Sequence, residues 1–155
     1  MDLFFIVSVV IKVLKLALNI VALILYRSGN NGDFLGVGGS WNINDEKDPD
    51  AEMVASGVMV GFFIYTFSAL VASCLGQRRT LTDALLNFAG TFLWVAVGAT
   101  ALHYWVRYQS EYQYQFLEVS AEKKVGIALG ALCVFNGVGY LLDTGVESYV
   151  YFKEM

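Results

Sequence analysis

Residues 53–77 read MVASGVMVGFFIYTFSALVASCLGQ and contain no Asp, Glu, Lys or Arg. A helix needs about 20 predominantly apolar residues to cross the ~30 Å hydrocarbon layer of a bilayer, so this stretch is long enough to span a membrane. Three similar apolar runs lie at residues 3–26, 84–106 and 125–142. The first of these runs is interrupted only by Lys12 and Lys15. The pattern predicts an all-α membrane protein, a bundle of four transmembrane helices.

The composition supports the same class. Hydrophobic residues make up 57% of the 155 residues and charged residues only 15%, which is too apolar for an ordinary soluble domain. We therefore interpret residues 1–155 as one membrane domain with spans at about 3–26, 53–75, 85–105 and 125–142. The even number of spans predicts two loops on one side, at about 27–52 and 106–124. A short loop at about 76–84, both termini and a tail at 143–155 then lie on the other side.

Capping residues mark the ends of the predicted helices. Gly76 follows the second span, and glycine accepts the left-handed backbone conformation that closes a helix. Thr80 and Asp83 have the spacing of a capping box at the start of the third helix. Asp48 and Pro49 are suited to the start of the second helix, as its cap and its first turn.

The distribution of Lys and Arg leaves the orientation in the membrane open. The side of the short loop carries Arg78, Arg79 and Lys153. The side of the long loops carries Arg27, Lys47, Arg107, Lys123 and Lys124. Taken literally, the positive-inside rule places the long loops in the cytoplasm. Lys12 and Lys15 can snorkel toward the N-terminal side, and including them makes the two sides equal.

The first loop is a candidate recognition surface. It is rich in glycine around Phe34, Leu35, Val37 and Trp41, and an acidic segment follows. These four side chains are too apolar to be left together in water, and tryptophan is enriched among the residues that dominate interface energies. We expect the loop to bind a partner through them. The alternative is that they only cover the end of their own bundle.

A polar stripe runs along one face of the first span. Its members recur at helical spacing: Ser8, Lys12, Lys15, Asn19 and Tyr26. A lysine in the middle of the membrane costs about 2.5–3.5 kcal/mol on insertion scales, so the stripe requires a compensating partner or pathway. We favour a structural stripe packed inward and paired with Asp143, Glu147 or Asn136 over a proton or ion pathway. Lys12 in particular is expected to pair with Asp143 or to reach the inner headgroups. Lys15 and Asn19 are then expected to face the bundle.

Two pairs of small residues have the spacing that allows close helix contact. Gly57 and Gly61 lie in the second span, and Gly126 and Gly130 lie in the fourth. Either pair could pack within the bundle or against a neighbouring protomer. We favour packing within the bundle for both.

No sequence pattern indicates catalysis or a cofactor. The acidic run at residues 45–52 lacks the spacing of a calcium-binding hand. His103 is the only histidine, and no Gly-x-Ser-x-Gly motif is present. The glycines at 36–39 do not follow a predicted strand, so they do not indicate a nucleotide site. We expect no enzyme activity, no metal or organic cofactor, and no nucleic-acid partner.

Several strings together resemble the Snakeskin family, small four-span proteins of arthropod smooth septate junctions. They are LYRSG at 25–29, GDFLGVGGSWNINDEKDPDAE at 32–52, ASGVMVGFFIY at 55–65, GTFLWVAVGATALHYW at 90–105 and GYLLDT at 139–144. The resemblance extends over nearly the whole chain.

The resemblance implies a multi-pass plasma-membrane protein with cytoplasmic termini and two extracellular loops. It further implies a structural role in the epithelial paracellular barrier, with Mesh and a tetraspanin as membrane partners. The residues themselves leave open whether the chain also forms a homo-oligomer. The alternative function is a small channel or transporter subunit that uses the polar stripe of the first span.

Overall fold

The computed structural model describes residues 2–29, 49–103, 105–106 and 119–155, with side chains for 2–26, 50, 53–103, 105–106 and 124–155. Within these ranges the chain forms helices and no strand. The helices are α1 (Leu3–Gly29), α2 (Pro49–Cys74), α3 (Leu81–His103) and α4 (Val119–Glu154). The predicted all-α class is confirmed.

All four helices are long and apolar enough to cross a membrane. The qualifying segments are Leu3–Tyr26, Met53–Cys74, Leu81–His103 and Lys124–Glu154. The shortest has 22 residues and therefore extends about 33 Å at 1.5 Å per residue. Large apolar side chains such as Leu14, Ile64, Phe92 and Phe135 remain exposed on the outside of the bundle. This apolar outer surface is suited to contact with lipid hydrocarbon. The buried polar side chains of the spans point into the bundle instead.

The connection between α2 and α3 is short and capped at both ends. Gly76 adopts a φ of 77°, and the Gln77 amide donates to the Ala72 carbonyl at 3.0 Å, which closes α2 as predicted. At the start of α3, the Thr80 amide donates to Asp83 Oδ2 at 3.1 Å, and the Asp83 amide donates to Thr80 Oγ1 at 3.3 Å. This reciprocal pair is the predicted capping box, which is confirmed.

Helix α4 lies at the centre of the arrangement. It packs against both α1 and α3, while α2 packs mainly against α1. Glycines bring α3 and α4 together: a Cβ at Gly98 would lie 2.7 Å from the Gly130 carbonyl oxygen, and one at Gly130 would lie 2.8 Å from Leu102 Cγ. Gly126 lies directly against the indole of Trp105, just beyond α3. The fourth-span glycines therefore pack within the bundle.

Aromatic side chains fill the middle of the bundle. Trp94 and Tyr140 are fully buried and stack with a ring-centroid separation of 6.2 Å. Phe62 meets Tyr140 edge-on at 5.2 Å, and the Tyr140 hydroxyl hydrogen-bonds Thr66 on α2. This layer connects α2, α3 and α4 through one tyrosine.

The fourth helix is longer than the predicted span of 125–142. It continues to Glu154, so most of the segment assigned to a C-terminal tail is helical. Asp143 and Glu147 do not end the helix because cations from other elements compensate their charges inside the bundle.

Candidate functional site: a buried charge cluster and an open helix face

The ends of α1 and α4 and the α2–α3 turn meet at one end of the bundle, here called the turn end. A group of polar side chains is buried close to it, here called the charge cluster: Ser8, Lys12, Lys15, Arg79, Asp143 and Glu147. Helix α1 supplies the serine and both lysines because they recur every three or four residues on one face. Helix α4 supplies both carboxylates, which are four residues apart and therefore lie on one face of that helix.

Lys12 is held by both carboxylates. Its Nζ lies 3.2 Å from each oxygen of Asp143 and 2.5 Å from Glu147 Oε1. It also donates to Ser8 Oγ at 2.9 Å. The sequence predicts the pairing of Lys12 with Asp143, and the structure brings these two residues together. Glu147, one of the alternative partners that the sequence offered for the stripe, is a second acceptor.

Lys15 shares Asp143 with Lys12. Its Nζ lies 2.6 Å from Asp143 Oδ2 and donates to Asn87 Oδ1 on α3 at 2.9 Å. The same ammonium group lies 4.0 Å from the centroid of the Tyr140 ring, within the range of a cation–π contact. Lys15 therefore connects α1 to α3 and α4 simultaneously.

Arg79 joins the turn to the cluster. Its Nη1 lies 2.5 Å from Glu147 Oε1 and donates to Ser8 Oγ at 2.9 Å. Sequence reasoning placed Arg79 only in a polar loop and did not assign Asn87 any role. The two lysines and two carboxylates of the spans already balance in number, so the sequence offered no signal that Arg79 or Asn87 would join them.

The charge cluster is almost completely shielded. Asp143 is 0% exposed, Lys15 1%, and Lys12 and Glu147 2% each. Removing one partner from such a buried pair costs about 3–5 kcal/mol, because an uncompensated charge remains behind. With every group ionised, three cations face two carboxylates, which leaves one formal positive charge. The cluster thus fixes three elements in place. Its directly paired groups carry one formal positive charge, while Asp83, which borders the adjoining cavity, accepts hydrogen bonds from Thr80 instead.

A small cavity of about 90 Å³ adjoins the cluster. Lys12, Glu147 and Arg79 border it together with Gln77 and Thr80 of the turn. Glu147 Oε2 has no hydrogen-bond partner in the described part of the chain. Because one water requires only about 10–15 Å³ of such volume, the cavity has room for several waters that can bond this oxygen.

The deeper members of the polar stripe, Lys15 and Asn19, pack into the interior of the bundle. Asn19 is fully buried, and its side-chain amide, oriented by its hydrogen bonds, donates to the Met59 carbonyl at 3.1 Å and accepts from the Phe63 amide at 3.0 Å. Beyond Lys15 the interior is occupied by the Trp94–Tyr140 layer. Lys15 and Asn19 both face inward, and the ring of Tyr140, stacked on Trp94, lies directly beside the Lys15 ammonium.

The two glycine pairs have opposite environments. No described residue places a heavy atom within 4 Å of a Cβ built at Gly57 or Gly61. Both glycines instead line an open groove of about 370 Å³ between α2 and α3, whose other walls are apolar: Val54, Val58, Phe62, Tyr65, Leu86 and Leu93. The packing within the bundle that we favoured for Gly57 and Gly61 is wrong. The reason is that α2 turns its other side, with Ala55 and Met59, toward the core.

Four predicted recognition residues, Phe34, Leu35, Val37 and Trp41, lie outside the described residues. Their role in the first loop stays a prediction. Within the described ranges, no group of three or more His, Cys, Asp or Glu side chains is positioned to hold a metal ion.

The four apolar helices with an inward-facing charge cluster define the chain as a multi-pass helical membrane protein. It is 56% identical to Protein snakeskin of Bombyx mori over 153 residues, which cover 97% of this chain and 96% of that protein. It is 50% identical to Protein snakeskin of Drosophila melanogaster over 149 residues, covering 94% of this chain and 91% of that protein. The chain belongs to the snakeskin family. No protein-family model and no solved structure matches it.

Proposed function

We propose that this chain is a structural component of smooth septate junctions and has no enzymatic activity. In this role it contributes to the epithelial paracellular barrier by assembling laterally with other membrane proteins of the junction. The observation that carries the proposal is the near full-length similarity to two snakeskin proteins. The proposal includes a junctional location in the plasma membrane and Mesh and a tetraspanin as partners, and this part of it rests on the family resemblance alone.

The arrangement of the bundle supports a structural role over transport. The charge cluster is internally paired through short contacts between Lys12, Lys15, Asp143 and Glu147. The Trp94–Tyr140 layer fills the interior beyond it. A conduction pathway requires a continuous polar lining, whereas buried aromatic rings lie beside Lys15. A channel or transporter subunit is therefore the second candidate, and it is tested by flux.

In the proposed topology the first loop is extracellular and the α2–α3 turn is cytoplasmic. An epitope inserted near Asn31 is then stained on intact cells, whereas an epitope after Met155 is stained only after permeabilisation. Staining in the reverse pattern contradicts this topology.

The barrier role is tested by replacement in an arthropod epithelium whose own snakeskin protein has been removed. We expect the chain to localise at cell contacts and to restore exclusion of a fluorescent dextran from the paracellular space. A chain that reaches the plasma membrane but leaves the tracer permeability high would contradict the barrier role.

A further inference from the structure

A cleft of about 360 Å³ lies at the turn end, next to the charge cluster. Its polar wall carries Arg78, Arg79 and Lys153, and its apolar wall is formed by Phe4, Phe5 and Val150. Arg78 and Lys153 are exposed, whereas Arg79 is half-buried because it reaches into the cluster. Basic and apolar walls therefore meet where the helices leave the hydrocarbon layer.

We propose that this cleft binds one anionic phospholipid of the adjacent leaflet. The phosphate oxygens accept hydrogen bonds from Arg78 and Lys153, and an acyl chain lies along Phe4, Phe5 and Val150. Arginine suits a phosphate because its planar guanidinium can donate two parallel N–H bonds. Basic pockets between helix ends at the membrane surface are suited to anionic headgroups for the same reason.

The charge cluster supplies an independent reason for an anion at this position. Its three cations and two carboxylates leave one formal positive charge among the directly paired groups, beside the small cavity at the turn. Arg79 belongs to the cluster and also borders the cleft. A phosphate beside Arg79 compensates the excess charge, which lowers the free-energy cost of keeping the cluster ionised.

The side chain of Lys153 is already directed toward the apolar wall. Its Nζ lies 5.7 Å from the centroid of the Phe4 ring. Phe4 and Phe152 are large, exposed apolar side chains at this end, and they place the cleft at the level of the lipid. A ligand with both an anionic head and a hydrocarbon tail can contact both walls, while a free anion contacts only the basic wall.

Two carboxylates at the cleft oppose binding. Asp2 and Glu154 also line it and are exposed. Their negative charges repel a phosphate, so neutralising them should increase the affinity. This opposite response separates a specific site from a general loss of folding, because damage to the fold cannot strengthen binding.

The test uses the full chain purified in a mild non-ionic detergent and titrated with phosphatidylserine or phosphatidylcholine. Native mass spectrometry measures the fraction of protein that retains one lipid. We expect the preference for phosphatidylserine to fall about fivefold for Arg78→Gln and again for Lys153→Gln, which corresponds to about 1 kcal/mol per cation. Asp2→Asn with Glu154→Gln should raise the preference. Lys124→Gln removes an exposed lysine at the opposite end of α4 and should leave the preference unchanged.

Inorganic phosphate distinguishes a lipid from a free anion. We expect it not to displace phosphatidylserine at equal concentration, and we expect phosphatidylserine to raise the melting temperature of the wild type. Equal retention of the two lipids by the wild type overturns the proposal. So does an equal loss in the Lys124→Gln control, or displacement by equimolar inorganic phosphate.

Discussion

The Lys15 ammonium lies 2.6 Å from Asp143 Oδ2. Both side chains are buried, and Asp143 simultaneously accepts from Lys12 at 3.2 Å. One carboxylate on α4 therefore contacts both lysines on α1, and Glu147 supplies the second negative charge through Lys12. This relationship explains how a span with two basic residues can be stable in a bilayer, and it makes Asp143 the most sensitive position of the charge cluster.

Asp143→Leu is expected to destabilise the bundle by about 3–5 kcal/mol, because it leaves two buried ammonium groups with too few acceptors. The measurement is the melting temperature of the detergent-solubilised protein, together with the fraction that reaches the cell surface. The double variant Asp143→Leu with Lys15→Met should recover part of the loss, because it removes one of the stranded charges. Unchanged stability in the single variant contradicts a structural role for the cluster.

Arg79→Gln should have a smaller effect than Asp143→Leu. Its side chain is only partly buried, at 13% exposure, and water can replace it beside Glu147. The neighbouring Arg78→Gln, measured in detergent without added phospholipid, is the matched control, since Arg78 is exposed and forms no part of the cluster. We expect a lower melting temperature for Arg79→Gln and an unchanged one for Arg78→Gln. Equal melting temperatures of these two variants would argue that the ion pair between Arg79 and Glu147 does not stabilise the α2–α3 turn.

Gly98→Ala and Gly57→Ala make the same chemical change in opposite environments. A Cβ at Gly98 would lie 2.7 Å from a backbone oxygen of α4, whereas Gly57 has open space among the described residues. The first change should cost about 1–3 kcal/mol through overpacking. The second should be neutral in the isolated protein. Melting temperatures of the two purified variants check the difference, and similar values would contradict the close α3–α4 contact.

The glycine pairs of α2 and α4 show which features of the fold the sequence does not predict. The four spans, the capping box and the proximity of Lys12 to Asp143 follow from charge-free runs, local spacing and depth along a helix. The glycine pairs in α2 and α4 have the same spacing, yet only the α4 pair packs inside the bundle. The spacing of the glycines shows that they share one face of a helix. It does not show whether that face points into the bundle or away from it. The contributions of Arg79 and Asn87 to the cluster depend on contacts between separate elements for the same reason.

The open face of α2 gives the proposed lateral assembly a specific test. Small residues let two membrane helices approach closely, so Gly57→Leu with Gly61→Leu should reduce co-purification with other junction membrane proteins. The control is Gly145→Leu, because Gly145 on α4 also has open space among the described residues. The double variant and the Gly145→Leu control should both keep the wild-type melting temperature. Undiminished co-purification of the double variant would show that assembly uses another surface.

Flux through the reconstituted protein separates the structural role from the channel alternative. We expect liposomes that contain the chain to release no more trapped ions than protein-free liposomes, because the Trp94–Tyr140 layer fills the described interior. Tyr140→Ala opens space beside Lys15, so ion release from liposomes that contain this variant is the comparison. Conductance in the wild type that is lost in Lys15→Met would favour the channel alternative.

The first loop remains the predicted recognition surface, and Trp41 is its most informative residue. Tryptophan side chains bury a large apolar area and are enriched among the residues that dominate binding energies. Trp41→Ala is therefore expected to reduce clustering at cell contacts at least about tenfold, while surface delivery and melting temperature stay at wild-type values. Trp94→Ala is the contrasting variant, because Trp94 is fully buried in the core and its loss should lower stability by about 3–5 kcal/mol. If Trp41→Ala lowers the melting temperature as Trp94→Ala does, Trp41 belongs to the fold and the recognition surface lies elsewhere.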